Sequence, residues 1–300
     1  MENGYRLAPV GASTASPGRG TRPFTAPAAL VLLALFLAAV SLAACGGSPS
    51  RRAAEPRATL LSHARQATID AGTTSLLFEL QLHGVKVHGA PPGALALLSS
   101  PNERLGGEGT FDLGSSKGFF TLDTPNFGPL EILVIGETFY VEFPPSLAGP
   151  LKATPWMSIG MATLARVHSA SLAALSQLFA AMDPALALDF LRGLSGPIQV
   201  IGHQRIYGVP TTEIRTSIDL NLAASRTPGD ARALVEQTTN VLHLTKLPID
   251  LWVDPEGRIR KSRFSVSLDG VSFPVPGNPL EAETLSGSVT VTHELTAFTT

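Results

Sequence analysis

The sequence has one cysteine in 300 residues, so neither an intramolecular disulfide nor a thiolate metal cage can form. The only cysteine chemistry open to the chain is reaction or modification at Cys45. Charge is scarce as well. Asp, Glu, Lys and Arg make up 15% of the chain, against about 25% in an ordinary soluble domain. That implies an unusually neutral surface, a large buried interior or a segment that belongs in a membrane. Neither sign dominates: 22 basic residues stand interspersed with 24 acidic ones, so no field exists to draw a polyanion, and nucleic acid is excluded as a main partner. Catalytic signatures are missing too. No G-x-S-x-G elbow, H-E-x-x-H helix, P-loop or dinucleotide glycine pattern occurs. Gly107-Glu108-Gly109 lacks the downstream glycine, and His293-Glu294 has no second histidine four residues on. His83 and His88 straddle an expected turn, but a histidine pair without acidic or thiolate company is read as incidental. The expectation is a protein that is not an enzyme and uses no cofactor or metal.

What is present begins at the N-terminus. Arg6, Arg19 and Arg22 precede an apolar run, Leu30–Ala44, in which Ser41 is the one polar residue, and the run ends in Cys45-Gly46-Gly47. A basic region, an apolar region and a small-residue exit make a secretory signal. The run of about 15 residues is short of the ~20 that cross a bilayer core. Leu42-Ala43-Ala44-Cys45 resembles the lipobox of bacterial lipoproteins, which implies acylation of the Cys45 thiol and cleavage before it. Residues 1–44 are thus expected to be the signal and 45–56 a lipidated tether. The mature chain then carries 19 basic and 23 acidic side chains and sits on the extracytoplasmic face of the cell membrane, anchored at Cys45.

Periodicity organises residues 57–300 into one expected domain. Leu60, Ala64, Ala67 and Ala71 predict a helix over Arg57–Ala71 that Gly72 stops. Leu76, Phe78, Leu80 and Leu82 then alternate with polar neighbours as a strand over Thr73–Gly84. After a Pro/Gly-rich excursion (His88–Asn102), a meander is expected over Glu108–Leu113, Lys117–Asp123, Leu130–Ile135 and Thr138–Phe143, with Gly136-Glu137 as a tight hairpin. Pro144–Pro155 breaks the sheet, and Trp156 is expected to lead into a helix. Val167–Met182 contains no acid, Lys or Arg, and a helix neutral all round is one enclosed by other structure. Asp183-Pro184 caps a further helix. Extended segments over Ile198–Leu220 follow, then a helix with Thr227 as its N-cap, a hairpin of Pro248–Asp254 with Ile259–Leu268, and a last strand, Leu285–Leu295. Asp219, Asp250 and Asp254 are read as solvated, the basic run Arg258, Arg260, Lys261 and Arg263 as a solvated sheet face or a headgroup contact, and Trp252 as either exposed or covered by another element.

Three short stretches carry a resemblance: Gly136–Val141 (G-x-x-h-Y-V), Gly208–Thr212 with Ile218-Asp219, and Val253–Arg260 (V-D-x-x-G-R-h-R). With the lipobox and the order of elements, the chain resembles the actinobacterial lipoproteins of the LprG/LppX type, over most of residues 57–295. The resemblance implies an α+β fold in which a strongly curved antiparallel sheet, a half barrel like that of the periplasmic lipoprotein carrier, wraps around central helices and encloses an apolar cavity for acyl chains.

The physical reading agrees independently. A sheet of roughly ten strands curls strongly, and its concave side needs filling. Helices without charge fill it partly, and apolar cavities stay dry and accept apolar ligands. The candidate lining is Leu76, Phe78 and Leu80 on the first strand, Ile132, Val134, Phe139 and Val141 in the meander, and Leu172, Leu175, Leu178, Phe179 and Met182 on the neutral helix. The expected partners are the membrane, through Cys45, and an acyl-chain lipid or glycolipid. The competing reading is the same half barrel packed solid, an interaction module that docks an envelope protein.

Overall fold

The computed structural model describes residues 55–88, 100, 102–124, 128–142, 144–145, 156–160, 182–242, 244–275 and 278–299. Cys45 and the neutral-helix positions Leu172, Leu175, Leu178 and Phe179 lie outside the described residues, whereas Met182 is described and buried.

Among the described residues the architecture is mostly β. Twelve strands form one sheet: β1 Thr73–His88, β2 Arg104–Asp112, β3 Lys117–Thr124, β4 Gly128–Ile135, β5 Thr138–Glu142, β6 Trp156–Gly160, β7 Gln199–Ile206, β8 Val209–Asp219, β9 Lys246–Val253, β10 Ile259–Ser267, β11 Ser272–Val275 and β12 Asn278–Leu295. Their order is β6-β5-β4-β3-β2-β1-β12-β10-β9-β8-β7, with β11 paired to β12 off this path. Every pairing is antiparallel. β1 to β6 follow one another as a meander, and so do β7 to β10. The 18-residue β12 joins the two halves by pairing β1 on one edge and β10 on the other.

Among the described residues four α-helices accompany the sheet: α1 Glu55–Asp70, α2 Pro184–Phe190, α3 Leu220–Arg226 and α4 Gly229–Leu242. Helix α1 buries Leu61, Ala64 and Thr68, the i, i+3, i+7 stripe of an amphipathic helix. Thr68 fixes it to the sheet, because its hydroxyl donates to Ala64 O (2.6 Å) and accepts from the Ile259 N–H (2.8 Å). Arg65 ties it to α2 through Asp189 Oδ1 at 2.7 Å and Leu188 O at 3.2 Å. Asp183 caps α2 as its sequence predicts, accepting from the N–H groups of Ala185 (2.8 Å) and Leu186 (3.2 Å), with Pro184 in the first turn.

Several elements differ from the sequence expectation. β1 runs through Gly84 to His88, because Gly84 takes a positive φ of 61° in a bulge between His83 and Lys86, after which pairing with β12 resumes. No turn brings His83 and His88 together; their rings lie against Thr290 and Ser286 of β12 instead. Trp156 opens the edge strand β6 rather than a helix. Thr227 closes α3 by donating to Ala223 O (2.9 Å) rather than opening α4. Asp219, read as solvated, is the N-cap of α3 and accepts from the Leu222 N–H at 2.9 Å.

Candidate functional site

Residues opposite one another in antiparallel strands share a face, so the register reads as rows across the sheet. One row on the buried face is Met157, Val141, Ile132, Phe120, Gly109, Leu76 and Leu295. The next on one side is Ile159, Phe139, Val134, Gly118, Phe111 and Thr74. On the other side runs Leu130, Leu122, Gly107, Phe78, His293, Ser262, Leu251 and Ile214. Leu76, Phe78, Leu80, Ile132, Val134, Phe139 and Val141 are therefore all on this face, and all are buried. They form one continuous apolar wall, as their alternation in sequence predicts.

Between α2 and strands β8, β9, β10 and β12 lies a cavity of about 30 Å³, which none of those seven wall residues lines; it has room for one or two water-sized groups. Ala187, Leu188 and Leu191 cover it, and Leu247, Ile249, Phe264 and Leu295 are among the residues that floor it. Its two polar side chains are Ser262 and His293. They stand opposite each other on β10 and β12, with Ser262 Oγ 3.5 Å from His293 Nδ1. The His293 ring is 5.5 Å from that of Phe78. In the sequence His293 stands out only beside Glu294 as half of an incomplete metal-ligand pattern, and Ser262 carries no signal of its own. The alternation of β12, with His293 in step with Val289, Val291 and Leu295, already places the histidine inside.

The opposite face is polar, with the register again deciding the contacts. Thr292, Arg263, Asp250 and Arg215 form one row. Asp250 bridges both guanidiniums, at 2.7 Å from Arg215 Nε and 2.9 Å from Arg263 Nη2. Burial alone would raise the Asp250 carboxyl, but the hydrogen bonds and charges of Arg215 and Arg263 outweigh it and hold the group below its ordinary range. In the neighbouring row Lys261 reaches Glu294 at 2.6 Å. Trp252 is 2% exposed and so belongs to the covered alternative. Lys261 and Arg263 sit 5.3 Å and 5.2 Å from its ring, within cation–π range.

The basic run is thus drawn into ion pairs along its length, with Arg263 still partly exposed. Arg258 and Arg260 both bond Asp254 Oδ2, at 2.9 Å and 2.8 Å. Arg260 is 7% exposed and Asp254 3%, which corrects the expectation of a solvated carboxylate. Arg260 also donates to Thr296 O and lies 4.5 Å over the Phe298 ring, pinning the C-terminal segment.

Asp183 behaves oppositely. Its burial, opposed by the two capping N–H bonds, pushes the carboxyl up to about 6. A folded-state value above the unfolded one (~4) means that the folded protein binds the proton more tightly. Its contribution to stability therefore falls as pH rises from about 4 to about 6. Asp183→Asn keeps a cap and is expected to remove this slope, worth up to about 3 kcal/mol. Thermal unfolding of both proteins at pH 4 and pH 7 measures it, and equal slopes would refute the assignment.

Among the described residues no helix is long and apolar enough to cross a membrane, and no three His, Cys, Asp or Glu side chains gather to hold a metal ion. No family model matches the chain, and no curated protein matches it. Solved structures do. The lipoprotein LppX of Mycobacterium tuberculosis is 14% identical, with 79% of this chain and 94% of that one covered and a TM-score of 0.39. LprF of Mycobacterium bovis is 16% identical, with 85% and 97% covered and a TM-score of 0.40. MucB is 12% identical, with 80% of this chain and 60% of that one covered and a TM-score of 0.30. LppX and LprF stand beside the LprG/LppX resemblance that the sequence motifs carry, as likeness at low identity.

Proposed function

We propose that this protein is a lipoprotein anchored through Cys45 outside the cytoplasmic membrane, and that it binds lipid acyl chains against the inner face of a strongly curved sheet without catalysing a reaction. The observation that carries this reading is the buried apolar wall from β1 to β6 in a chain with a lipobox-like Leu42-Ala43-Ala44-Cys45. Curvature toward that wall is supported by Gly109. A Cβ there would lie 2.4 Å from the Phe120 Cβ, whereas opposed Cβ atoms in a flat pair stand about 4.5–5.5 Å apart. This close approach of β2 and β3 at Gly109 supports a sheet that bends toward its apolar face, as the proposed half barrel does. Leu172, Leu175, Leu178 and Phe179, which lie outside the described residues, complete the proposed lining.

The cavity of about 30 Å³ favours a second reading, a solid half barrel that docks an envelope protein, since ligand pockets usually measure about 300–1,000 Å³. One experiment separates them. The full-length protein, purified from its membrane, is extracted with solvent and analysed by mass spectrometry beside a Val134→Trp variant. A lipid carrier yields a non-covalent lipid in fixed ratio to protein, and the added indole lowers that ratio while the melting temperature holds. A solid core yields no lipid, and the same substitution overpacks it by about 1–3 kcal/mol. That pair of results would defeat the carrier.

A further inference from the structure

We propose that the cleft beside α1 is an anion site and that Arg65, Arg192 and Arg226 hold in it the phosphate ester of a lipid headgroup. The inference goes beyond the acyl-chain reading above, because none of the seven wall residues lines this cleft. About 700 Å³ of space lies between α1, the segment 191–198, β8 and the last turn of α3. Backbone bonds fix its walls. The N–H groups of Ser195 and Gly196 donate to Ser217 O at 3.1 Å and 3.2 Å, and Leu194 bridges Ile218 on β8. A Cβ at Gly193 would strike Asp219 O, and one at Gly196 the Ser217 hydroxyl. The two glycines therefore let the segment that carries Arg192 lie directly on the end of β8.

Charge selects the ligand. Three guanidiniums line the cleft, and among the described residues no Asp or Glu does. The carboxylate that bonds them, Asp189 of α2, is shared: its Oδ1 accepts from Arg65 Nη2 at 2.7 Å and from Arg192 Nε at 2.8 Å. Arg226 meets a carbonyl instead, donating from Nη1 to Arg192 O at 2.9 Å. One carboxylate against three permanent cations leaves positive charge uncompensated, and these bonds use few of the five N–H donors that each guanidinium carries. A phosphate ester answers that arrangement better than a carboxylate, because its oxygens are spread tetrahedrally and accept from arginines on three different elements. Leu61, Leu194 and Ile198 line the same cleft. They offer the glycerol and first methylenes of a lipid an apolar surface that a free anion would not use, which assigns the phosphate to a lipid.

The test follows the ³¹P resonance of dihexanoyl phosphatidylglycerol, and in a parallel arm that of inorganic phosphate, titrated at pH 7 into the full-length protein in a non-ionic detergent. Wild type is expected to displace the lipid resonance saturably from its micellar position and to bind inorganic phosphate more weakly. Arg192→Gln and Arg226→Gln each weaken the lipid about tenfold, the loss of a charge-assisted hydrogen bond. Arg226 is exposed, so its replacement keeps the fold should the Arg192 variant, which loses its bond to Asp189, unfold. Arg232→Gln on α4 removes a charge that Glu236 holds at 2.8 Å and that does not line the cleft, so it leaves binding unchanged. No displacement with wild type, no loss in the first two variants, or equal losses in all three would overturn the site. Inorganic phosphate bound as tightly as the lipid would overturn the lipid as its source. Either failure leaves the acyl-chain reading standing, since that reading is decided by lipid extracted with the protein and by Val134→Trp.

Discussion

Cys45→Ala is expected to abolish lipid-dependent membrane attachment completely, the largest effect of any single substitution in this chain. The proposed anchor depends on one thiol, the only one in the sequence, and no second cysteine can take the acyl groups. Each methylene moved from water into the bilayer contributes about 0.8 kcal/mol, so two chains hold the protein essentially permanently and their loss leaves only weak contacts. Arg51 and Arg52 in the tether add little, at about 1 kcal/mol per residue near an anionic surface. Detergent phase partitioning of wild type and variant, on material whose signal has been removed, decides the matter. Co-partitioning of the two in the detergent phase would disprove the lipoprotein assignment.

Asp254→Ala is expected to cost about 3–5 kcal/mol of folding stability, the penalty for leaving a buried charge without its partner. The loss falls on Arg260, which is 7% exposed and would keep only Thr296 O and the Phe298 ring of its contacts. The Val253–Arg260 turn weakens at the same time, because Asp254 Oδ1 accepts the Arg258 N–H at 2.8 Å. Urea unfolding at pH 7 measures the change, and a loss below about 1 kcal/mol would show that the arginine finds water instead. Burial opposes ionisation of Asp254, yet the bonds from Arg260 and Arg258 outweigh it and hold the carboxyl below its ordinary range. That lowered value makes its contribution complete above pH ~4 and progressively lost as pH falls toward the folded-state value. The wild-type acid transition should therefore contain this step and the variant should lack it.

The two carboxylates Asp183 and Asp254 give opposite pH slopes from the same cause set at different strengths. Both are buried. Asp183 accepts from two backbone N–H groups among the described residues, and desolvation, with the charge of Asp189 added, wins over them. Asp254 meets two guanidiniums, so ionisation wins. Neither outcome is visible in the residues beside them, since Asp183-Pro184 and Asp254-Pro255 are the same dipeptide.

Local chemistry determined much of this protein from sequence alone. The Asp183-Pro184 cap, the positive φ of 59° at Gly136 and the alternation that selects Leu76, Phe78, Leu80, Ile132, Val134, Phe139 and Val141 all depend on residues within a few positions of one another. Period two states which side chains share a face. It does not state which strand lies beside them or what covers the face. Those were decided by non-local pairing: β12 inserted between β1 and β10, so that Ser262 met His293 across 31 positions of sequence, and Lys261 and Arg263 closed over Trp252. The basic run read as solvated was drawn into ion pairs for the same reason, because a charge's partner is set by strand register and not by its neighbours in the chain.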